Sequence, residues 1–419
     1  MTARLFPSVG ERASARMREE RIFTICVFIG AFLLLIVLFC ANAGVAYAAT
    51  EAQEDVEKEL SDGVSGAIDR LDTDLFEDFL SSLDDRQAEA VGIEDLKAAL
   101  KSITDGEPAD FFGSFLSALA AAAGGAFLGF LPGVVSVVII CLLKSLLTGM
   151  SSGLGRSATG GVVHIVCYSA VIVILTAGVT GVILSVTDTV NALAGFSDAV
   201  FPVLLTLLAA VGGGSGVALY QPFMAVLSGT VIKVVQSVIV PAFIAAIVFS
   251  VVGNISENVK LGKLAKLVRS GAGWLVGILF GLFATFITAQ GISGGVLDKI
   301  GFNAAKFAVS SYVPILGGYV SDGFDLVTAS LVLVKNAVGV TGVVVLLAVV
   351  LFPLLQLAAY ILMLRLAAAV TEPMGDSRTS SVLAALADNS RLLVTALVGV
   401  GFMFFIVLML VIGSFNPGV

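Results

Sequence analysis

Long uninterrupted apolar stretches decide what this chain can fold into. The runs at 127–147 and 162–184 reach the roughly 20 apolar residues that a helix needs to cross a bilayer. Inside lipid, every backbone N–H and C=O must find its partner within the structure, which favours helices. Only 13% of the 419 residues are charged, where a soluble domain would carry about 25%. We therefore predict an all-α, polytopic membrane protein with about six to eight spans.

Within the apolar region, one pattern of prolines and breaks occurs twice. Pro202 and Pro314 lie 112 residues apart, and so do Pro241 and Pro353. In each copy, a break rich in Gly or Asp separates the first proline from a long apolar run that carries the second. Paired interruptions in repeated membrane units are typical of transport proteins. An old duplication retained as a scaffold would leave the same pattern, so both interpretations stay open.

The duplication divides the membrane region into four parts. We predict first membrane spans at 111–198, a first repeat at 199–290, a connector at 291–311 and a second repeat at 312–419. Within 111–198, an Ala-rich helix that lies at the interface or enters the membrane is expected to precede the spans. The acidic stretch after 184 is expected to form an external loop. Irregular backbone at membrane depth is tolerated only where protein or water surrounds it. Broken or re-entrant helices in the repeats should therefore face the interior of the bundle.

Basic residues suggest which side of the membrane the polar turns occupy. The turn at 254–270 has four basic residues at three-residue spacing, which predicts a short amphipathic helix on the cytoplasmic surface. The corresponding turn at 371–391 carries mixed charges and is placed in the cytoplasm by analogy. The two repeats would then be parallel in topology. The candidate break and pore positions are Pro202, Gly212, Gly213, Gly214, Ser215, Gly216, Pro241, Pro314, Asp322, Gly323, Asp325 and Pro353.

Several polar side chains fall inside the apolar runs. Such residues are costly in lipid and normally face partners or water. A polar interior or pore lining is the functional interpretation, while helix–helix hydrogen bonds and snorkelling lysines are the structural ones. The candidates are Lys233, Gln236, Lys335, Asn336, Gln356 and Arg365.

The negative charge of the chain is concentrated before the membrane region. Residues 49–110 contain 19 acidic and 5 basic residues, a net charge of −14. Apolar residues from Leu71 to Leu83 recur at helical spacing, which predicts one amphipathic helix; a second short helix is expected near 93–100. The segment either packs on the membrane domain or a partner, or forms a solvated acidic linker. No basic patch suited to phosphates is present, which argues against nucleic-acid binding.

The first 48 residues have the organisation of an export signal. Five arginines precede the apolar run Ile22–Cys40, and small residues follow up to Ala48. This arrangement predicts a signal peptide cleaved after Ala48. Because the apolar run is long, an uncleaved membrane anchor is the alternative. In both cases residues 49–110 are expected outside the cytoplasm.

Signals for catalysis are weak. Gly213–Gly216 resembles the surroundings of an intramembrane serine nucleophile, and His164 is the single histidine, so a Ser–His dyad is formally available. Among 45 glycines such a match is expected by chance. The four cysteines show neither zinc nor disulfide spacing. We expect no enzymatic activity, no cofactor and no metal.

Taken together, these features resemble the stage III sporulation protein AE family of endospore-forming Firmicutes. The resemblance is carried by the leader, the acidic segment with Leu71–Leu83, the stretch FPVLLTLLAAVGGGSG at Phe201–Gly216 and the paired prolines. It covers nearly the whole chain after the leader. The family has no active-site residues to carry over.

The resemblance implies a place in the channel that joins the mother cell to the engulfed forespore. The protein would be a multi-pass protein of the mother-cell membrane facing the forespore. Its partners would be the other stage III sporulation A proteins and the forespore Q protein, and a homo-oligomer stays open. A permease-like or pore-forming subunit is the expected function. The alternatives are a non-conducting membrane scaffold of that complex and a stand-alone ion-coupled secondary transporter.

Overall fold

Helices account for the regular structure of every region that the computed structural model of the protein describes. The described residues are 54–93, 95–104, 111–152, 157–255, 261–291, 317–374 and 376–414. The predicted leader at 1–48, Pro314 and nearly all of the connector at 291–311 lie outside them. The residues from Leu60 onward form one compact unit.

Four short helices form the acidic segment. They are α1 (Glu54–Asp69), α2 (Asp74–Ser81), α3 (Asp85–Val91) and α4 (Leu96–Thr104). Acidic residues occupy the first turn of α2, where negative charge suits the helix dipole. The C-cap of α3 is Gly92, whose φ of 61° is a left-handed conformation that favours glycine.

The predicted helix over Leu71–Leu83 is shorter than its pattern indicated. Only Asp74–Ser81 is helical, because Leu71 and Leu83 lie in the turns on either side. Within α2, Phe76 and Phe79 are buried, but Leu75 is 61% exposed and does not belong to the packed face. The sequence also did not indicate α3 as a separate helix.

Long apolar helices form the rest of the described structure. They are α5 (Phe111–Ser152), α6 (Ser157–Val211), α7 (Gly214–Val226), α8 (Val240–Ile255), α9 (Gly262–Gly291), α10 (Gly317–Thr371) and α11 (Ser377–Gly413). Two π-helical turns, Leu227–Val231 and Val235–Ile239, connect α7 to α8 through Ile232–Val234. Six stretches among the described residues are long and apolar enough to cross a membrane, which agrees with the predicted span count.

One predicted loop is helical, and two predicted short helices are parts of longer ones. The expected external loop after 184 belongs to α6, and the Ala-rich helix after Phe111 continues into the first span, as one of its two predicted arrangements has it. The boundary drawn at 198–199 therefore falls inside a helix. The amphipathic stretch after Gly262 is the start of α9 and not a separate short helix. For the stretch after 184 the misleading signal was polarity, because exposed polar residues on the outer face of a continuous helix look like a loop.

The antiparallel pair α10 and α11 forms the centre of the bundle. Ten consecutive residues of α10, from Thr341 to Val350, are buried. Close packing is made possible by glycines at the contact: a Cβ on Gly401 would lie 2.8 Å from Val350 Cγ1. Helices α5, α6 and α7–α9 pack around this pair.

Both repeats contain a pair of helices joined by a turn, and the two turns lie at the same end of the bundle. The α8–α9 turn is near Gly253 and Leu261, and the α10–α11 turn includes 372–374. The helices that meet these turns are tied together, since Asn389 of α11 donates a hydrogen bond to Ser250 Oγ of α8 at 3.0 Å. We call this end of the bundle the turn end.

The acidic segment packs on the other half of the bundle. Phe79 of α2 meets Phe196 of α6 edge-on, with ring centroids 6.0 Å apart. Gly63 of α1 lies against Ser330 of α10, and Arg86 lies near Gly125 of α5. We call the part of the bundle that these helices contact the segment half, and the remainder the turn half.

Candidate functional site

The Gly-rich break of the first repeat ends α6. Gly212 has a φ of 107°, a conformation that is strained for any residue with a side chain. The N–H of Gly213 donates to the C=O of Leu208 at 2.9 Å, which closes the turn before α7 begins at Gly214. The chain reverses direction here, and it does so without an open space at the break.

The space beside the break is filled by Leu208. This side chain is fully buried and packs with Val211, Val217 and Tyr220. Gly216 is buried against the same leucine, at 3.2 Å from the position its Cβ would take. The candidate pore positions of the first repeat therefore form a packed corner between two helices.

The packing at this corner predicts opposite behaviour for adjacent glycines. In Gly213→Ala the new Cβ would lie 2.5 Å from Leu208 Cδ1 and 3.0 Å from the Leu208 carbonyl oxygen, whereas Gly214 has nothing within 4 Å. We expect Gly213→Ala to lower the free energy of unfolding by about 1–3 kcal/mol, the range for overpacking. Gly214→Ala should leave it unchanged. Thermal unfolding in detergent measures both, and equal melting temperatures would contradict the packed corner.

The predicted break in the second repeat is wrong. Asp322, Gly323 and Asp325 lie inside α10, which runs without interruption from Gly317. One glycine inside a helix costs only about 1 kcal/mol, and Asp is only moderately unfavourable there. The composition of this stretch is therefore compatible with an uninterrupted helix as well as with a break. Of the two helix breaks that the duplication suggested, only the one at Gly212–Gly213 is present in the described residues.

The prolines do not interrupt their helices. Pro202 lies within α6, Pro353 within α10, and Pro241 is the second residue of α8. A proline inside a helix clashes with the carbonyl of the fourth residue before it. For Pro241, the preceding π-helical turn Val235–Ile239 is where the hydrogen-bond pattern widens.

Two of the candidate polar residues lie on this π-helical stretch and face outward. Lys233 is exposed, and Gln236 donates a hydrogen bond to Asn191 Oδ1 of α6 at 2.6 Å. The described residues do not enclose them as a pore lining.

Lys335 is the most deeply buried charged residue of the candidates. Its side chain is 0% exposed, and Nζ donates to the carbonyl oxygen of Ser414 at 2.6 Å. Ser414 caps the C-terminus of α11, where the helix dipole favours positive charge. Beside it, Asn336 Oδ1 is buried without a hydrogen-bond partner among the described residues.

The remaining candidates connect neighbouring helices. Gln356 Oε1 accepts a hydrogen bond from Ser185 of α6 at 2.9 Å. Arg365 donates to Asp388 of α11 at 3.0 Å, and Arg391 lies 3.8 Å from the same carboxylate. Asp388 and Arg391 were predicted to lie in a polar turn, but they belong to α11. These contacts match the helix–helix interpretation of intramembrane polar groups.

A buried ion pair at the turn end was not predicted. Lys144 of α5 and Asp376, the N-cap of α11, lie 2.6 Å apart with 13% and 4% of their side chains exposed. Thr379 donates to Asp376 through its hydroxyl at 2.6 Å and its backbone N–H at 3.2 Å. Sequence offered one signal, an acidic residue three positions before a threonine at a helix start. Nothing in the sequence identified Lys144 as its partner, 232 positions away.

The surroundings of Asp376 set its charge state. Burial alone would raise the pKa of this carboxyl, but the hydrogen bonds from Lys144 and Thr379 and the charge of Lys144 outweigh burial and hold the pKa below its usual value. Asp376 is therefore ionised at neutral pH. It fixes α5 against the start of α11.

The formal Ser–His dyad is excluded by distance. His164 is near the start of α6, and Ser215 follows the end of this helix. At 1.5 Å per residue, the helical residues between them place the two positions about 70 Å apart along the bundle. Among the described residues, no group of three His, Cys, Asp or Glu side chains is arranged to hold a metal ion.

The long apolar helices, the buried interhelical polar contacts and the buried ion pair define a multi-pass helical membrane protein. The sequence profile of the stage III sporulation protein AE family matches residues 94–414. The chain therefore belongs to this family. It is similar to the stage III sporulation protein AE of Bacillus subtilis (strain 168), with 26% identity over 397 residues that cover 92% of this chain and 96% of that protein. No solved structure matches the chain.

Proposed function

We propose that the protein is a membrane scaffold of the channel complex that joins the mother cell to the forespore. Membership of the stage III sporulation protein AE family supports a role in sporulation. In the proposed arrangement the protein lies in the mother-cell membrane, and its acidic segment faces the forespore. Its proposed partners are the other stage III sporulation A proteins and the forespore Q protein. The role requires no catalysis by this chain.

The observation that carries the scaffold proposal is the densely packed centre of the bundle. Of the most apolar 18 residues of α10 and of α11, 78% and 61% are buried. Ten consecutive residues of α10, Thr341–Val350, are buried, and Val350 packs directly against Gly401 of α11. A conduit for polar solutes through such a centre would need a large rearrangement.

A pore remains the second candidate, and one observation favours it. Asn336 Oδ1 and Thr341 Oγ1 lie on α10 with no hydrogen-bond partner among the described residues. A buried polar atom left unpaired costs about 1–3 kcal/mol, and a narrow wet path would remove that cost. Such a path would require water at positions that pack against neighbouring helices in the structure.

Reconstitution separates the two functions. The purified full-length chain in liposomes loaded with a small anionic dye should release no more dye than empty liposomes if it is a scaffold. Release above that background would favour the pore. Asn336→Leu is the matched variant, since it removes the unpaired amide while keeping the volume of the side chain. A leak that this variant abolishes would overturn the scaffold proposal.

A second experiment tests the scaffold role in sporulating cells. The scaffold proposal expects that the other stage III sporulation A proteins no longer co-purify with one another when this protein is depleted. Complexes that assemble normally in its absence, together with a block in late forespore transcription, would instead assign it to conduction. A stand-alone transporter would remain active without those proteins.

A further inference from the structure

The helices of this protein are much longer than a bilayer is thick. The apolar stretches Ile165–Val211 and Asp325–Thr371 each contain 47 residues. At 1.5 Å per residue they are about 70 Å long, while the hydrocarbon core of a bilayer is about 30 Å thick. Even a tilt of about 40° would leave them spanning more than 50 Å. One part of the bundle must therefore lie outside the hydrocarbon.

The outward face of α6 changes character partway along the helix. From Val162 to Leu184 its exposed residues include large aliphatic side chains, such as Ile165 at 65% and Val173 at 70%. From 185 to 211 no large apolar side chain is exposed. The exposed polar residues and proline of this second part are Asp188, Asn191, Asp198, Pro202 and Thr206.

Helix α5 changes in the same way and at the same height. Its exposed leucines, valines and isoleucines form a continuous outer face from Leu128 to Leu147. From 115 to 127 the exposed residues are Ala, Gly and Ser, apart from Leu116 at 66%. The two faces lie side by side, because the Cβ position of Gly133 is 4.0 Å from Ile174 Cγ2 of α6. Each face is about 20 residues long, or about 30 Å, which is the thickness of the hydrocarbon.

The other helices extend this belt around the turn half. On α10 the exposed aliphatic residues of the last turns are Leu362, Leu366 and Val370, whereas no residue from 330 to 357 is exposed. On the second π-helical turn, α8 and α9, the belt consists of Val238, Ile244, Val248, Val252, Leu264, Leu267, Trp274, Ile278 and Leu282. Lys263 and Lys266 are exposed at the turn end of this belt, where lysines reach the lipid headgroups.

We propose that lipid encircles only the turn half of the bundle, and that the segment half stands in water on the same side as the acidic segment. The lower boundary lies near Leu147 of α5, and the upper boundary lies near Leu184 of α6. The part of α6 beyond this upper boundary, 185–211, is about 40 Å long. It forms a helical stalk on which the acidic segment packs.

This boundary changes how several of the candidate pore residues are interpreted. The Gly212–Gly213 corner, the first π-helical turn Leu227–Val231 and Lys335 belong to the segment half, outside the hydrocarbon. The second π-helical turn carries Val238 of the belt and lies at the upper boundary. A helix break in this position is in contact with water and needs no shielding from lipid. The exposed Lys233 and the Gln236–Asn191 pair are then surface groups at or above the upper boundary.

The single tryptophan provides a direct test. Trp274 lies in the belt on α9 and is 72% exposed. In vesicles of phosphatidylcholine with brominated acyl chains, the full-length wild-type chain should lose most of its tryptophan emission relative to unbrominated vesicles. Dissolved acrylamide should quench it little. Emission that bromine leaves unchanged would show that protein rather than lipid covers this face, and would overturn the proposal.

Moving the tryptophan tests the upper boundary. In a Trp274→Phe background, Leu131→Trp places the probe in the belt on α5, and Thr206→Trp or Ala209→Trp places it on the water-facing part of α6. The proposal expects bromine quenching for Leu131→Trp, and acrylamide quenching without bromine quenching for the other two. Equal bromine quenching at 131 and 206 would place the whole bundle in lipid and overturn the proposal.

Discussion

Replacing Lys144 by alanine is expected to lower the free energy of unfolding by about 3–5 kcal/mol. The variant leaves the Asp376 carboxylate buried without the cation that lies 2.6 Å away in the wild type. A buried charge that loses its partner keeps its full desolvation penalty, which is why breaking such a pair is costly. Thermal unfolding of the full chain in detergent, followed by circular dichroism, measures the effect.

A second ion pair in the same chain is the matched control. Lys101 and Asp69 lie 3.1 Å apart in the acidic segment, but 40% and 61% of their side chains are exposed. Lys101→Ala should change the free energy of unfolding by about 0–1 kcal/mol, as for other surface pairs. Similar losses for Lys144→Ala and Lys101→Ala would mean that the pair at the turn end is open to water.

The pH dependence of the Lys144 variant has a defined sign. In the wild type the pKa of Asp376 is lowered in the folded state, so its stabilising contribution is present above the unfolded-state value of about 3.9 and is lost as pH falls through the folded-state value. Removing Lys144 moves the pKa of Asp376 upward. The difference in the free energy of unfolding between wild type and Lys144→Ala should therefore become smaller as pH falls from 7 toward 4. A difference that does not change with pH would contradict the role of Lys144 in lowering the pKa of Asp376.

The features that sequence predicted well are those that follow from local chemistry. Long apolar runs require membrane helices, so the helical class and the number of spans were predictable. Gly212 also follows a local rule, because three consecutive glycines after an apolar helix favour a C-terminal turn with positive φ. The burial of Phe76 and Phe79 follows from their helical spacing.

The features that sequence did not predict depend on contacts between residues far apart in the chain and on where each helix lies relative to the membrane. Polarity at Asp188 and Asn191 predicted a loop, but a helix that has left the hydrocarbon can expose polar residues without ending. Asp322 and Gly323 have the composition of a break and lie near the start of α10 instead. The ion pair between Lys144 and Asp376 depends on how α5 and α11 pack, and no local sequence pattern predicts it.

Changing Phe79 to aspartate is expected to release the acidic segment from the membrane bundle. Phe79 is 7% exposed, meets the fully buried Phe196 edge-on, and lies 3.3 Å from the Cβ position of Gly195. Loss of a buried phenylalanine costs about 3–5 kcal/mol, and a carboxylate without a partner adds to that loss. Limited proteolysis of the full chain should then cleave rapidly within 60–104, while circular dichroism shows that the long helices remain.

Leu75→Asp is the matched control on the same helix, four residues earlier. Because Leu75 is 61% exposed, the substitution should change the free energy of unfolding by no more than about 0.5 kcal/mol and leave the protease pattern unchanged.

Co-purification of the sporulation partners with the two variants then distinguishes two roles of the acidic segment. If the partners no longer co-purify with Leu75→Asp, the exposed face of α2 contacts a partner directly. If only Phe79→Asp removes them, docking of the whole segment on the stalk is what assembly requires. Normal assembly and normal proteolysis in Phe79→Asp would refute the role of this contact.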